Sequence, residues 1–228
     1  MGKPELLELF AFHLGPLHID ATVLTTWLLM AVLAGLAWFG TRRMSVEAPS
    51  RLQTALEGTV LALQAAIESA APSHATRLLP FVGTLWLFIT AANLAGLVPG
   101  LRSPTGDLSL TVALAMLVFL SVHWFGIRID GIKDYLRHYL DPNPILLPFH
   151  LLGEITRTLA LAVRLFGNMM SLEMAALLVL LVASFLAPVP LLMLHIVEAL
   201  VQAYIFGMLA LVYVAGALQS RELEIRSN

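Results

Sequence analysis

The chain contains no cysteine and little charge: none of its 228 residues is Cys, and Asp, Glu, Lys and Arg together make up 12 %. Without cysteine there are no disulfides, no thiolate metal sites and no thiol nucleophile. The charged share is about half that of an average soluble domain. With 59 % hydrophobic residues, a water-soluble chain would lack the polar surface to cover its core, so the bilayer is the natural solvent. A formal net charge of −2 also excludes the basic surface expected of a nucleic-acid binder. The first twenty residues carry Lys3 together with Glu5, Glu8 and Asp20. They match neither a cleaved signal peptide nor an Arg-rich transit peptide, and the amino terminus is expected to be retained.

Enzyme motifs are missing too. There is no His-Glu-x-x-His, no Gly-x-Ser-x-Gly and no phosphate-cradling glycine loop. His195 and Glu198, three apart on a helix, can in principle ligate a metal, but a lone pair of this kind is weak evidence. No metal site and no cofactor are expected.

What is present is a series of apolar runs. A membrane helix needs roughly 20 predominantly apolar residues. Residues 21–39 are uncharged and end at Arg42 and Arg43; residues 78–99 and 108–127 form two further candidates. A polar stretch from Asp130 to Asp141 follows, and Pro-Asn-Pro at 142–144 breaks any helix there. Residues 143–220 then read as a long helical hairpin, with apolar segments of about 145–186 and 191–220. Ala-Pro-Val-Pro at 187–190 is the turn signal between them. The first segment exceeds one perpendicular crossing, which tilt accommodates. Residues 50–71 differ: Arg51, Gln53, Glu57, Gln64 and Glu68 interrupt the apolar positions, as in an amphipathic helix lying on the membrane, with a polar-lined further span as the alternative. The fold class is therefore an all-α membrane protein of a single domain, 1–228, with about five transmembrane helices plus an amphipathic helix. No internal repeat is visible.

Lys and Arg placement sets the orientation. With the amino terminus outside, Arg42, Arg43, Arg51, Arg77, Arg128, Lys133, Arg137, Arg221 and Arg226 all fall on the cytoplasmic side. Only Lys3 and Arg102 stay outside, and the carboxyl terminus is cytoplasmic.

Arg157 and Arg164 are left at membrane depth. An arginine there costs at least ~2.5–3.5 kcal/mol, and it cannot escape by losing its proton. At about 100° per residue, His150, Glu154, Arg157, Arg164, Asn168 and Ser171 share one side of a helix, while Glu173 points toward a neighbouring helix. His195, Glu198, Gln202 and Tyr213 share one side of the last segment. A structural pair such as Glu154 with Arg157 accounts equally well for Glu154, Arg157 and His150. An interhelical hydrogen bond is the default for Gln202. Arg164 has no acid within one turn; its neighbours on the stripe are Leu161 and Asn168. A permanent cation without a local counter-charge points to one supplied by another chain. His13, His18, His74 and His138 read as solvated or interfacial, and His123 as structural.

Arg164-Leu165-Phe166-Gly167-Asn168-Met169 resembles the signature of the subunit a family of F-type ATP synthases. Asn93-Leu-Ala-Gly-Leu-Val-Pro99, Pro104-Thr105-Gly106-Asp107-Leu108 and Gln202-Ala-Tyr-Ile-Phe206 resemble further motifs of that family, in order, over about residues 80–215. One departure is Thr158, where the family often has proline after the basic residue.

The resemblance implies a stator subunit that is not an enzyme by itself, in a bacterial inner membrane. Its implied partners are the rotor c-subunit ring, on which the tilted hairpin packs, peripheral-stalk b subunits, other synthase subunits and membrane lipid. Two aqueous half-channels would carry protons to and from rotor carboxylates, coupling proton flow to rotation and ATP synthesis. Arg164 would face those carboxylates, and Glu173 and His195 match family positions assigned to proton passage. Asn168 and Gln202 would hydrogen-bond near Arg164. Glu198, Glu154, His150, Asn93 and Asp107 are candidate channel-lining residues. A secondary transporter with an intramembrane polar site is the alternative.

Overall fold

A computed structural model describes residues 13–14, 17–18, 20–42, 44–45, 49–98, 101, 103–131, 147–182 and 188–227. The polar stretch beyond Gly131, with Lys133, Arg137 and His138, and the Pro-Asn-Pro at 142–144 lie outside them, as do Lys3, Arg43 and Arg102. A two-residue antiparallel ladder, β1 (His13–Leu14) with β2 (Leu17–His18), precedes the helices.

Among the described residues six α-helices follow: α1 (Ala21–Thr41), α2 (Arg51–Ala70), α3 (Ala75–Ala95), α4 (Leu108–Asp130), α5 (Leu147–Val182) and α6 (Pro188–Ser227). All but α2 contain a stretch long and apolar enough to cross a membrane. Lipid cannot satisfy a backbone polar group, so each crossing segment must close its own hydrogen bonds as a helix. The chain is an all-α membrane protein.

Local chemistry sets the helix ends. The Ser50 hydroxyl accepts from the backbone N–H of Gln53 at 3.2 Å and caps α2. The Gln53 amide exchanges hydrogen bonds with both backbone groups of Ser45, each 3.1 Å, and fixes the link from α1 to α2. Gly131, at φ +83°, ends α4 in a conformation that side-chain-bearing residues rarely adopt, and its N–H donates to Ile127 O at 2.9 Å.

Ala-Pro-Val-Pro was expected to mark a turn; Ala187, with residues 183–186, lies outside the described residues, and Pro188 and Pro190 stand in the first turn of α6. The first backbone N–H groups of a helix lack intrahelical acceptors, so proline costs little there.

Two apolar clusters hold the bundle. Around Phe206, Leu85 and Ile89 of α3 meet Leu114 and Val118 of α4, Leu161 and Leu165 of α5, and Ala203 and Ala210 of α6. Around Trp86, Leu78 and Val82 of α3 meet Leu211 and Val214 of α6 and Ile67 of α2. Small residues on α6 let α3 and α5 approach its backbone closely, the usual device where lipid removes the hydrophobic drive.

Two contacts set the register of α5 against α6. Asn168 meets Gln202, and the Arg157 guanidinium sits over the Tyr213 ring. Eleven residues back along α5 correspond to eleven forward along α6, so the helices run antiparallel without slippage.

Candidate functional site

The polar side chains gather at three levels along α5 and α6. The first is built on the link from α3 to α4, where a 3₁₀ turn, Pro104–Gly106, wedges between helices. Asn93, fully buried near the end of α3, is its staple. Its Nδ2 donates to Ala199 O on α6 at 3.1 Å, and its Oδ1 accepts from the Thr105 hydroxyl at 2.6 Å. Ser103 Oγ lies 2.7 Å from Thr105 Oγ1 and 3.0 Å from Ala92 O.

His195 is buried on α6, with Nε2 3.1 Å from the backbone oxygen of Asn93. A carbonyl can only accept, so Nε2 carries the hydrogen and Nδ1 is the basic nitrogen of the neutral ring. Glu173, expected to face a helix, instead packs its carboxylate against Gly106 of the 3₁₀ turn. A Cβ at Gly106 would come within 3.2 Å of Glu173 Oε1. A side chain there would press on the carboxylate, which would have to give by a few tenths of an ångström.

Asp107 closes this level as the N-cap of α4. Its Oδ1 accepts from the Ser109 N–H at 2.8 Å and the Ser109 hydroxyl at 2.7 Å. Partial burial pushes its carboxyl up, but the hydroxyl and N–H of Ser109 and the Thr22 hydroxyl together outweigh that and hold it below its usual 3.8. A depressed folded-state pKa gives stability that is fully present above the unfolded value and is lost as pH falls through the folded one. Asp107→Ala is therefore expected to cost about 0.5–2 kcal/mol at neutral pH. The difference from wild type should close at pH values below the folded pKa. Thermal unfolding in detergent across pH reads this directly, and an unchanged midpoint at pH 7 would dispose of the cap.

The second level is the middle of the hairpin. Asn168 Nδ2 donates to Gln202 Oε1 at 2.6 Å. Gln202 is buried, and its Nε2 has no hydrogen-bond partner among the described residues. Arg164, one turn before Asn168, is exposed and has no ion pair or hydrogen bond among the described residues. Leu161, Leu165 and Met169 of the same helix are buried.

At the third level Glu154 Oε2 lies 3.3 Å from His123 Nε2 on α4. Arg157 rests over Tyr213, 5.7 Å from the ring centroid. The pairing of Glu154 with Arg157 open in the sequence is thus replaced by two separate partnerships on different helices.

His150, Arg157, Arg164 and Ser171 are exposed, whereas Glu154 and Asn168 turn partly inward. The predicted polar seam therefore straddles the edge between the packed and open faces of α5. The structure does not bring His150 or Glu198 into any of the three groups; His150 is exposed and Glu198 half-buried. Sequence reasoning missed Ser103 and His123 as members. Small hydroxyls in a link carry no periodic signal, and a histidine near a helix end reads as merely structural until its partner helix is known.

The chain matches the family model "ATP synthase A chain" over residues 23–215. It is 67 % identical over 211 residues to ATP synthase subunit a 2 of Pelobacter propionicus, covering 92 % of each chain. It is 63 % identical over 207 residues to ATP synthase subunit a 1 of Hahella chejuensis, covering 91 % of this chain and 88 % of the relative. To ATP synthase subunit a of Legionella pneumophila it is 55 % identical over 224 residues, covering 98 % and 97 %. With the Arg164 signature displayed on an exposed helix face and the family model matched along most of its length, the chain belongs to the ATP synthase subunit a family.

Proposed function

We propose that this chain is the stator subunit of a rotary ATP synthase and carries protons to and from rotor carboxylates through two offset half-channels. The family is that of a proton-translocating membrane subunit of the complex, not an enzyme by itself. The observation that carries the finer reading is the placement of Arg164. It is exposed, lacks an acidic partner among the described residues, and sits between two polar groups on the same helix. Glu173 lies nine residues one way and Glu154 ten the other, about 14 and 15 Å along the axis.

That arrangement suits a moving counter-charge. A rotor carboxylate facing lipid must be protonated, since a bare charge there is too costly. Beside Arg164 a close cation favours the ionised form, so the proton leaves. The fixed positive charge also separates the two polar groups and blocks a direct leak. The Asn168–Gln202 pair stiffens the hairpin one turn away. Gln202's buried, open N–H is a donor that a passing polar group or water can use, since leaving it unmet costs about 1–3 kcal/mol.

The group of Glu173, His195 and Asp107 serves the half-channel on the outer side, where His195 can take a proton on Nδ1. The side bearing Arg42, Arg51, Arg77 and Arg128 is cytoplasmic, and α2 lies along it. The open face of α5 meets the rotor ring; the exposed apolar faces meet lipid and the peripheral-stalk b subunits. Each proton crossing the membrane gains about 2.3 kcal/mol per 100 mV. A secondary transporter would use discontinuous helices at its site, whereas α5 and α6 run unbroken for 36 and 40 residues.

Dye-quench assays of ATP-driven pumping in vesicles carrying the whole complex test the outer path. Glu173→Gln and His195→Ala are each expected to slow pumping by roughly tenfold, less than the hundredfold or more that losing a general acid or base costs in a chemical step. Full rates in both variants would sink the assignment of these residues.

A further inference from the structure

We propose that Thr105 and Ser103 are positioning residues for His195: their hydroxyl chain, acting through Asn93, holds the ring in one tautomer with Nδ1 left to exchange protons. This rests on the stator reading, in which His195 passes protons on the outer side.

The hydrogens of the chain run in one direction. Ala199 O can only accept, so the Asn93 amide is oriented with Nδ2 donating to it at 3.1 Å. Asn93 Oδ1 is then an acceptor, and the Thr105 hydroxyl donates to it at 2.6 Å. A hydroxyl has one hydrogen, so across the 2.7 Å to Ser103 Oγ the Thr105 oxygen accepts and Ser103 donates. Ser103 shares that hydrogen with Ala92 O at 3.0 Å. Asn93, Ser103 and Thr105 are all buried, which leaves no bulk water to replace a lost partner.

Asn93 also reaches His195, through its backbone. The end of α3 tightens: the Leu97 N–H donates to Leu94 O at 3.0 Å, three residues back. Asn93 O, the acceptor that a continued α-helix would give to Leu97, instead accepts from His195 Nε2 at 3.1 Å. Asn93 therefore grips α6 twice, at His195 and at Ala199, one helical turn apart. A flipped ring would put Cε1 against Asn93 O and lose the bond. Gly96 leaves room for this arrangement, since a Cβ there would lie 3.5 Å from His195 Cε1 and 3.1 Å from Ser103 Cβ. Held in this way the neutral ring keeps its hydrogen on Nε2. Nδ1, which makes no hydrogen bond among the described residues, is the exchanging atom.

The 3₁₀ turn ties the clamp to the acid of the same group. Gly106, next to Thr105, lies against the Glu173 carboxylate. Two adjacent residues of one turn thus set the imidazole and the carboxylate relative to each other. The other titratable groups on the neighbouring elements here are Asp107 at the head of α4, Asp20 at the head of α1 and Glu198 on α6; α3 carries none beyond Arg77.

The test uses the whole complex in proteoliposomes and two readouts. One is ATP-driven pumping against pH on each face separately. The other is the nitrogen NMR signal of the His195 ring at alkaline pH, isolated by subtracting the spectrum of a His195→Gln complex. Wild type is expected to show one tautomer, with the hydrogen on Nε2. Thr105→Val keeps the shape but strips Asn93 Oδ1 of its donor. It is expected to mix the two tautomers, to change the outer-face pH profile alone, and to slow pumping by about fivefold, the low end of the cost of one unmet buried acceptor. Thr105→Ser returns the hydroxyl and should recover the single tautomer and most of the rate. Ser103→Ala should act in the same direction as Thr105→Val, but more weakly.

A single Nε2–H ring in Thr105→Val complexes overturns the clamp, as does an Nδ1–H ring in wild type. If Thr105→Val fails to assemble, Ser103→Ala decides, and a wild-type tautomer and outer-face profile there overturn the clamp. His195→Ala measured in parallel separates the two readings. Full pumping in that variant, beside a locked wild-type ring, defeats the proton path assigned to His195 and leaves the tautomer lock standing.

Discussion

Vesicles reconstituted with Arg164→Ala complexes are expected to make no ATP from a proton gradient and to pump no protons on ATP addition, while the complex still assembles. Both halves follow from where the side chain sits. Arg164 is exposed, and the face of α5 that packs is made by Leu161, Leu165 and Met169. Surface substitutions away from packed features change stability by no more than about 0.5 kcal/mol, so the fold has little reason to fail. The function has every reason to. Truncating one partner of a close charge pair costs about 2–5 kcal/mol. At about 1.36 kcal/mol per tenfold, that is a fall of roughly 30-fold to several thousand-fold. Without the cation a rotor carboxylate has no reason to stay ionised at the stator, and nothing separates the two polar groups along α5. Arg164→Lys should be a poor substitute, since a desolvated lysine can give up its proton and arginine does not. ATP synthesis at the wild-type rate by assembled Arg164→Ala complexes would end the proposed mechanism.

Arg164 was legible in the sequence because its signal is an energy, not a contact. A permanent cation at membrane depth needs a reason, and the helical period shows whether a local acid supplies one. The five apolar helices were legible for a similar cause, since length and composition alone decide whether a segment can cross lipid. What the sequence could not show was partnership between helices. Periodicity places Glu154 on a face of α5 but cannot say that His123 of α4 stands opposite, so Arg157 on the same helix looked an equally good partner. Glu173 was readable as turned away from the seam, but its neighbour is a 3₁₀ turn, an element without periodicity. Asn93 and Gln202 show the same boundary. Both stood out as polar residues in apolar runs, yet the carbonyl of Ala199 and the amide of Asn168 that they meet were set by packing. Pro188 and Pro190 were read as a turn signal, but proline does not distinguish a turn from the first turn of a helix.

Gly207 was not legible at all, and its replacement should have the second large effect. In an apolar run it looks like an ordinary membrane glycine. In the structure it is a point of close approach between α3 and α6: a Cβ there would land on the indole of Trp86. Trp86 is buried, its Nε1–H donates to Tyr204 O at 3.2 Å, and its ring stacks on Tyr204 at 5.9 Å with 7° between the planes. A rigid two-ring side chain fixed by a hydrogen bond and a stack cannot yield as a leucine tip can. Gly207→Ala must push α6 away from α3 or expel the indole, at a cost of about 1–3 kcal/mol for overpacking plus the lost hydrogen bond. The damage travels because α6 is one continuous helix. Gln202 lies five residues away, and its 2.6 Å bond to Asn168 holds α6 to α5 beside Arg164. The expected result is a smaller amount of the chain in membranes, a lower unfolding temperature in detergent, and weaker coupling in the complexes that do assemble. Gly207→Val should be worse, because its branched side chain enters the same occupied space. Trp86→Leu combined with Gly207→Ala should recover part of the stability, because a smaller, more adaptable side chain leaves room for the new methyl. A Gly207→Ala protein with wild-type unfolding temperature and pumping would show that α3 and α6 do not meet at this point.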